Sequence, residues 1–102
     1  MASRLNLHEE LCNILGSRNV YYDPPESVKL KYPCIVYALD GMDKHNANDR
    51  RYNSTNRYQV TLMESSPDSA YQDKILDRFP MASFDRSYPA NNLHHQVYTI
   101  YY

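Results

Sequence analysis

The sequence predicts an α+β domain, a two-layer sandwich in which two helices pack on one face of a mostly antiparallel sheet with a long hairpin loop. Two apolar stripes at helical spacing lie among segments of alternating β-branched and aromatic residues, which are typical of strands. A chain of 102 residues has room for one core, so we expect a single domain over residues 1–102. The predicted order is helix, short strand, two strands, helix, and one or two strands.

Both helices are predicted from an apolar stripe and its end signals. The first begins with Asn6 in a capping-box-like pattern and stops at Gly16. The second begins with Ser66 as its cap and Pro67 at its first position. The first stripe is Leu7, Leu11, Ile14 and Leu15, and the second is Tyr71, Ile75, Leu76 and Phe79.

Residues 34–39 are apolar on both faces, which is the pattern of a central strand, and a short strand candidate precedes them at residues 20–22. Residues 56–64 resume a strand-like alternation after the polar, turn-rich residues 41–55. We expect that polar excursion to be a loop, flexible in the isolated chain and ordered against a partner. We expect the centre of the core to hold Cys34 and Val36, together with either Ile35 or Tyr37.

The last strand, at residues 93–102, has no properly polar face. Alternation puts Gln96, Tyr98, Ile100 and Tyr102 on one face and Val97, Thr99 and Tyr101 on the other. A small domain can cover one face of its sheet with its own helices. We therefore expect another protein to cover the second face.

The composition favours an interface protein over a nucleic-acid-binding one. Eleven Lys plus Arg residues nearly balance 12 Asp plus Glu residues, far from the basic excess that phosphate binding requires. The 11 tyrosines stand beside two phenylalanines and no tryptophan, and tyrosine combines large contact area with a hydroxyl that tolerates a wet rim. The alternative is that these tyrosines are ordinary strand residues.

Residues that could carry catalysis or bind metal are few. His94 and His95 are adjacent in a predicted strand, where their side chains point to opposite faces and cannot share one metal ion. Asp85 has no second carboxylate singled out as its partner in acid–base chemistry. Cys12 and Cys34 lack the spacing of a metal or redox motif and are expected to be buried thiols. We expect no metal, no cofactor and no enzymatic activity.

The N-terminal residues lack the apolar region of a secretory signal, and no apolar run approaches the ~20 residues of a membrane span. We therefore expect synthesis in a cytoplasm.

Four stretches carry a resemblance to a known family: residues 32–37, 56–63, 66–69 and 83–101. In this order and spacing, the chain resembles the small tail-completion proteins encoded between the head and tail genes of long-tailed bacteriophages. The resemblance covers nearly the whole chain and depends on the combination of stretches, without a single diagnostic motif. It implies a tail terminator, which in that family forms a ring, usually a hexamer, on the tail tube. It carries over no catalytic residue.

The resemblance therefore implies a structural virion protein of the tail or neck region, made in the host bacterial cytoplasm. Its implied partners are further copies of itself, the major tail tube protein and the head–tail connector or stopper protein, with DNA only in transit and no membrane. From composition and pattern, we predict that the partner interface contains Arg50, Arg51, Tyr52, Tyr98 and Tyr102.

Three alternatives remain open at this point. A head–tail stopper or adaptor belongs to the same structural class. A small nuclease-like phage enzyme would use His94 or His95 with Asp85. A monomeric binding module would line a groove with tyrosines.

Overall fold

The computed structural model describes residues 4–44, 54–66 and 71–102. Within these ranges the chain forms two helices and five strands, which confirms the predicted α+β class. The elements in chain order are α1 (Arg4–Leu15), β1 (Val20–Tyr22), β2 (Cys34–Lys44), β3 (Ser54–Glu64), α2 (Gln72–Arg78), β4 (Ser83–Ala90) and β5 (Leu93–Tyr101).

The strands form one sheet in the order β1-β2-β3-β5-β4. β1 runs parallel to β2, and the other three pairings are antiparallel, so the prediction of a mostly antiparallel sheet is confirmed. Cross-strand pairs link Val36 to Thr61, Thr61 to Val97 and Val97 to Arg86, forming one row across four strands. Side chains in such a row lie on the same face of the sheet.

α1 begins at Arg4, so the predicted cap at Asn6 is wrong and Asn6 lies inside the helix. Contacts of Arg4 with Tyr22 and Tyr37 on the sheet extend the helix toward the N-terminus. The predicted end is confirmed: Gly16 has a φ of 77°, and its N–H donates to the Cys12 carbonyl at 2.8 Å. A left-handed residue after a helix is the conformation that glycine adopts at no steric cost.

α2 begins at Gln72, well after Ser66, so the predicted cap is wrong. Tyr71 occupies the cap position without a side-chain hydrogen bond to the helix. The helix ends at Arg78, and the Phe79 N–H donates to the Ile75 carbonyl at 3.1 Å. The predicted first turn at Pro67 lies outside the described residues.

β2 and β3 extend into the segment predicted as a loop, which corrects that prediction at residues 41–44 and 54–55. Cross-strand pairing of the two strands satisfies the backbone there, so polar sequence does not prevent strand formation. A register shift lies between Leu39 and Gly41, and the Arg57 guanidinium packs against Gly41. The rest of the predicted loop, residues 45–53, lies outside the described residues.

β4 and β5 are joined by a two-residue turn at Asn91 and Asn92, whose φ angles are 54° and 62°. Two positive φ values are the signature of a type I′ turn, which matches the twist of the flanking strands. β4 is an edge strand, and its residues from Ser83 to Pro89 are exposed. β4 extends to Ala90, so the turn before the last strand is limited to Asn91 and Asn92.

One cluster of buried side chains joins both helices to alternate residues of the sheet. Its members from the sheet are Val20, Ile35, Tyr37, Tyr58, Val60, Leu62, Tyr98 and Ile100, and those from the helices and their ends are Leu7, Leu11, Cys12, Ile14, Leu15, Ile75 and Phe79. We call the sheet face bearing these residues the core face. Ile35 and Tyr37 both belong to it, whereas Val36 is half-buried on the other face, so its predicted place at the centre of the core is wrong.

The described part of the chain is elongated, with extents of 50 × 27 × 22 Å. Its radius of gyration is 14.5 Å, against about 13 Å for an average compact domain of this length. Neither described helix combines the length and apolar character needed to cross a membrane.

Candidate functional site

The predicted interface residues are not brought together on one described surface. Arg50, Arg51 and Tyr52 lie outside the described residues. Tyr98 is 0% exposed, and Tyr102 is half-buried at the margin of the core cluster.

Tyr98 is a structural residue of the core face. Its hydroxyl donates to Gln96 Oε1 at 2.7 Å, and its ring meets the Phe84 ring edge-on at 5.4 Å between centroids. Burial, with smaller contributions from the Glu64 and Asp73 carboxylates, raises the pKa of Tyr98 to about 12. A side chain held in this way is not available to a partner of the folded chain.

Tyr102 ties the C-terminus of the described chain to the sheet. Its N–H donates to the Asn56 carbonyl at 3.0 Å, and the Asn56 N–H donates back at 3.3 Å. Its ring packs edge-on against Phe79 at 6.0 Å.

The face of the sheet opposite the core cluster offers a better candidate surface. We call it the open sheet face, and it consists of Val36, Ala38, Gln59, Thr61, Met63, Val97 and Thr99. None of these seven residues belongs to the core cluster or carries a charge. Arg86 of β4 pairs with Val97 on the same face, so a charged residue lies at the β4 margin of this surface. At the middle of the sheet, this face is partly open to solvent in the described part of the chain.

The open sheet face is shallow and partly apolar. Val36, Ala38 and Met63 are half-buried, Gln59 is exposed, and Val97 is 1% exposed. A concavity of about 170 Å³ lies over its β2 side, lined by Val36, Tyr37, Ala38, Leu39, Asp40, Gln59 and Thr61. The connection between β1 and β2 reaches the β1 edge, where the Lys31 backbone N–H donates to the Tyr21 hydroxyl at 3.3 Å.

A charged pair bounds the open sheet face at the far end of β2 and β3. Arg57 Nε lies 3.3 Å from Asp40 Oδ2, and Arg57 Nη2 donates to the Asp40 carbonyl at 3.2 Å. This approach requires glycine at position 41, because a Cβ there would lie 2.6 Å from Arg57 Nη2. Gly41 is the sequence signal for this pair, and it lies in a segment whose polar composition predicts a loop.

A hydroxyl-bound carboxylate bounds the same face on the β4 side. A bulge between Phe84 and Arg86 turns Asp85 toward β5. Thr99 Oγ1 donates to Asp85 Oδ2 at 2.6 Å, and Ser83 Oγ donates to Oδ1 at 3.1 Å. Both carboxylate oxygens therefore have hydrogen-bond donors, and Asp85 serves to fix the bulge.

The two histidines considered for an enzyme lie on opposite faces, as their positions in β5 require. His95 is 8% exposed, its ring stacks on Tyr88 at 4.9 Å, and its Nε2 lies 3.3 Å from the Ala90 carbonyl oxygen. His94 is on the core face, opposite Glu64 and Pro89. The structure therefore does not bring His94, His95 and Asp85 to one point.

Among the described residues, no group of three or more His, Cys, Asp and Glu side chains is placed to hold a metal ion. Cys12 and Cys34 are buried and are not joined to each other. Burial raises the pKa of the Cys34 thiol to about 11 and also raises the pKa of Cys12. A thiol whose pKa is raised is a poor nucleophile at neutral pH.

Comparison with known proteins assigns no family, since no protein-family model and no curated protein matches this chain.

Proposed function

We propose that this chain is a structural subunit of a bacteriophage tail, a tail terminator that assembles into a ring on the tail tube. Its partners would be further copies of itself, the major tail tube protein and the head–tail connector or stopper protein. Support comes from the sequence resemblance together with the open sheet face. A head–tail stopper or adaptor would use the same kind of surface and differs in the partner that it meets.

The open sheet face is the observation that carries the proposal. Protein interfaces combine an uncharged centre with a polar, charged rim, because desolvating a charge opposes association. Here seven uncharged residues lie between the Arg57–Asp40 pair at one end and Asp85 and Arg86 at the β4 side. The helices cover the other face of the same sheet, so we infer a two-layer subunit whose third layer is another protein.

The strands β2 and β3 add a second feature that suits an assembling subunit. Their paired ends, Asp43–Lys44 and Ser54–Thr55, run past the pairing of β1 with β2, which stops at Tyr22 and Tyr37, and past the backbone hydrogen bonds of Asn56 with Tyr102. A two-stranded ribbon with few neighbours gains stability when a partner packs against it. Arg50, Arg51 and Tyr52 lie between these ends in sequence and are proposed to contact the neighbouring subunit or the tube.

The proposal is tested by adding the purified chain to tail tubes and imaging the tube ends by electron microscopy. The parent chain should add a ring of density at one end. Gln59→Arg places a charge in the exposed middle of the open sheet face, and Asn13→Arg places the same charge on the exposed side of α1 as a matched control.

Burying an unpaired charge costs several kcal/mol, and each 1.4 kcal/mol is a factor of ten in affinity. Gln59→Arg should therefore raise the subunit concentration at which half of the tube ends are capped by about tenfold or more. Asn13→Arg should cap like the parent. Bare ends with the parent chain would contradict the tail-terminator function, and equal capping by both variants would contradict the choice of surface.

A further inference from the structure

Four side chains join the first turns of α1 to the sheet, and we call them the α1 latch: Arg4, His8, Tyr22 and Tyr37. The Tyr37 hydroxyl is at the centre. Arg4 Nη1 donates to it at 3.2 Å, and His8 Nδ1 lies 2.8 Å from it. The Arg4 guanidinium also lies over the Tyr22 ring, 4.3 Å from its centroid.

Besides the hydrogen bonds at the Tyr37 hydroxyl, the aromatic rings of the latch pack on one another. The Tyr22 and Tyr37 centroids are 5.0 Å apart, and those of His8 and Tyr37 are 5.7 Å apart. Tyr37 is 1% exposed and is part of the core cluster. The latch therefore connects a buried residue of β2 to the exposed first turn of the helix, where Leu5 is 64% exposed.

The hydrogen bonds of the latch fit a neutral His8. The Arg4 guanidinium can only donate, so the Tyr37 oxygen accepts from it and the Tyr37 O–H is free to donate elsewhere. Neutral imidazole with its proton on Nε2 presents an Nδ1 lone pair, which accepts that O–H at 2.8 Å. The Arg4 N–H and the Tyr37 O–H then each have an acceptor.

Protonation of His8 breaks this arrangement. Nδ1 becomes a donor, so the Tyr37 oxygen meets donors from both sides and its own proton loses its acceptor. The imidazolium and the Arg4 guanidinium then carry like charges around one hydroxyl, and like charges at short range repel.

The surrounding charges act in the same direction. Burial, followed by the Arg18 and Arg4 guanidiniums, lowers the pKa of His8, and the Glu9 carboxylate opposes this weakly. Glu9 is itself held by Arg18 in a two-bond ion pair, with both N–O distances at 2.9 Å. From the sheet, the Tyr22 and Tyr58 rings pack beside Tyr37, at 5.0 Å and 6.0 Å between centroids.

We propose that the α1 latch is a pH-sensitive device: protonation of His8 in mildly acidic solution releases the first turns of α1 from the sheet. The inference rests on the contacts of Tyr37 and is independent of the proposed assembly function. Leu7 is a buried core residue within these first turns, so release would appear as more frequent opening of the turn around Arg4 and His8 and not as its complete unfolding. The core residues Leu11, Ile14 and Leu15 keep the rest of the helix packed.

The test follows the purified chain by NMR between pH 7.5 and 5. The ring resonance of His8 should titrate with a midpoint below the ordinary value of 6.5. Amide protons of residues 8–11 should lose protection against exchange with the same midpoint, by several-fold after correction for the intrinsic pH dependence of exchange. Amides in β3 should not change, which separates local release from global unfolding.

Two variants complete the test. His8→Gln keeps a hydrogen-bonding group without a titrating one, and should abolish the pH dependence of protection in residues 8–11. His94 lies in β5, outside the latch, so His94→Gln should leave that dependence as in the parent and serves as the control. The proposal is overturned if His8 titrates at or above 6.5, or if residues 8–11 keep full protection after His8 is protonated. Should His8→Gln fail to fold, the parent titration and exchange data decide alone.

Discussion

The two faces of the sheet are built from the same strands and the same kinds of residue, yet their side chains are buried to different extents. On the core face, Ile35, Tyr37 and Tyr98 are 0%, 1% and 0% exposed beneath the helices. On the open sheet face, the neighbouring residues Val36 and Ala38 remain half-buried, and neither belongs to the cluster that includes the described helices. Apolar character alone therefore does not identify the core of this chain. What separates the faces is the alternation of side chains relative to the helices.

The tyrosines illustrate the same difference. Tyr37, Tyr58 and Tyr98 are 1%, 3% and 0% exposed and fill the core face, where their rings pack edge-on or tilted. The alternative reading of the tyrosine excess, that they are ordinary strand residues, holds for these three. The uncharged residues of the open sheet face are therefore better candidates for an interface than these tyrosines.

The largest expected difference between the faces is in the cost of removing a side chain. Ile35→Ala should destabilise the fold by about 2–5 kcal/mol, because it leaves a cavity under the helices. Val36→Ala, one residue along the same strand, should cost only about 1 kcal/mol, since its two methyl groups are partly solvated. Urea unfolding of both variants checks this. An equal or larger loss for Val36→Ala would show that the open sheet face is part of the core.

Removing a hydroxyl should show the same asymmetry at a smaller scale. Tyr98→Phe leaves the buried Gln96 Oε1 without its donor and should cost about 1–3 kcal/mol. Tyr88→Phe, on the exposed strand β4, should change the free energy of unfolding by less than about 0.5 kcal/mol. The two variants can be compared in the same urea series. Equal losses would mean that the Tyr98 hydroxyl contributes nothing beyond its ring.

Alkaline pH should weaken the fold through Cys34. The pKa of its thiol is about 11 in the folded chain against an ordinary value of 9.0, so between these values the unfolded chain loses a proton that the folded chain keeps. The unfolded state then binds fewer protons, and the free energy of unfolding falls as pH rises, by up to about 1.4 kcal/mol per pH unit for one proton.

Urea unfolding between pH 8 and 10 measures that slope, and Cys34→Ala should make it shallower than in the parent chain. Cys12→Ala is the matched control, since burial also raises the pKa of the Cys12 thiol, but by less than it raises the pKa of the Cys34 thiol. Slopes that are identical in the parent and in Cys34→Ala would contradict the assignment of the alkaline loss to this thiol.

The smallest expected effect is at the rim of the open sheet face. Gly41→Ala puts a methyl group 2.6 Å from Arg57 Nη2, and the end of a flexible side chain can move away. The Asp40–Arg57 pair is partly exposed, and exposed pairs contribute about 0–1 kcal/mol. We expect the free energy of unfolding to fall by less than about 1 kcal/mol. The contribution of the Asp40–Arg57 pair to the salt dependence of stability should also disappear. A loss of several kcal/mol would show that Gly41 has a backbone role that its contacts do not explain.

Periodicity was sufficient to predict the helices, the short β1 and the strands β2, β3 and β5, because their stripes and alternation are strong. It could not choose between Ile35 and Val36, since residues 34–39 are apolar on both faces and only the position of the helices decides. It also missed the strand ends at residues 41–44 and 54–55, where cross-strand pairing outweighs weak strand propensity. The Asp40–Arg57 pair was missed for the same reason, because its residues are close only once the two strands are paired.

Two of the four methionines allow a direct measurement of whether the open sheet face is the assembly surface. Met63 lies on the open sheet face, and Met81 lies between α2 and β4, where it is 70% exposed. Mild peroxide oxidation of each thioether, followed by mass spectrometry, reports its accessibility in the free subunit and in the subunit bound to tail tubes. If the open sheet face is the assembly surface, binding should slow the oxidation of Met63 several-fold relative to that of Met81. Oxidation of Met63 at the same rate in free and bound subunits would contradict this prediction.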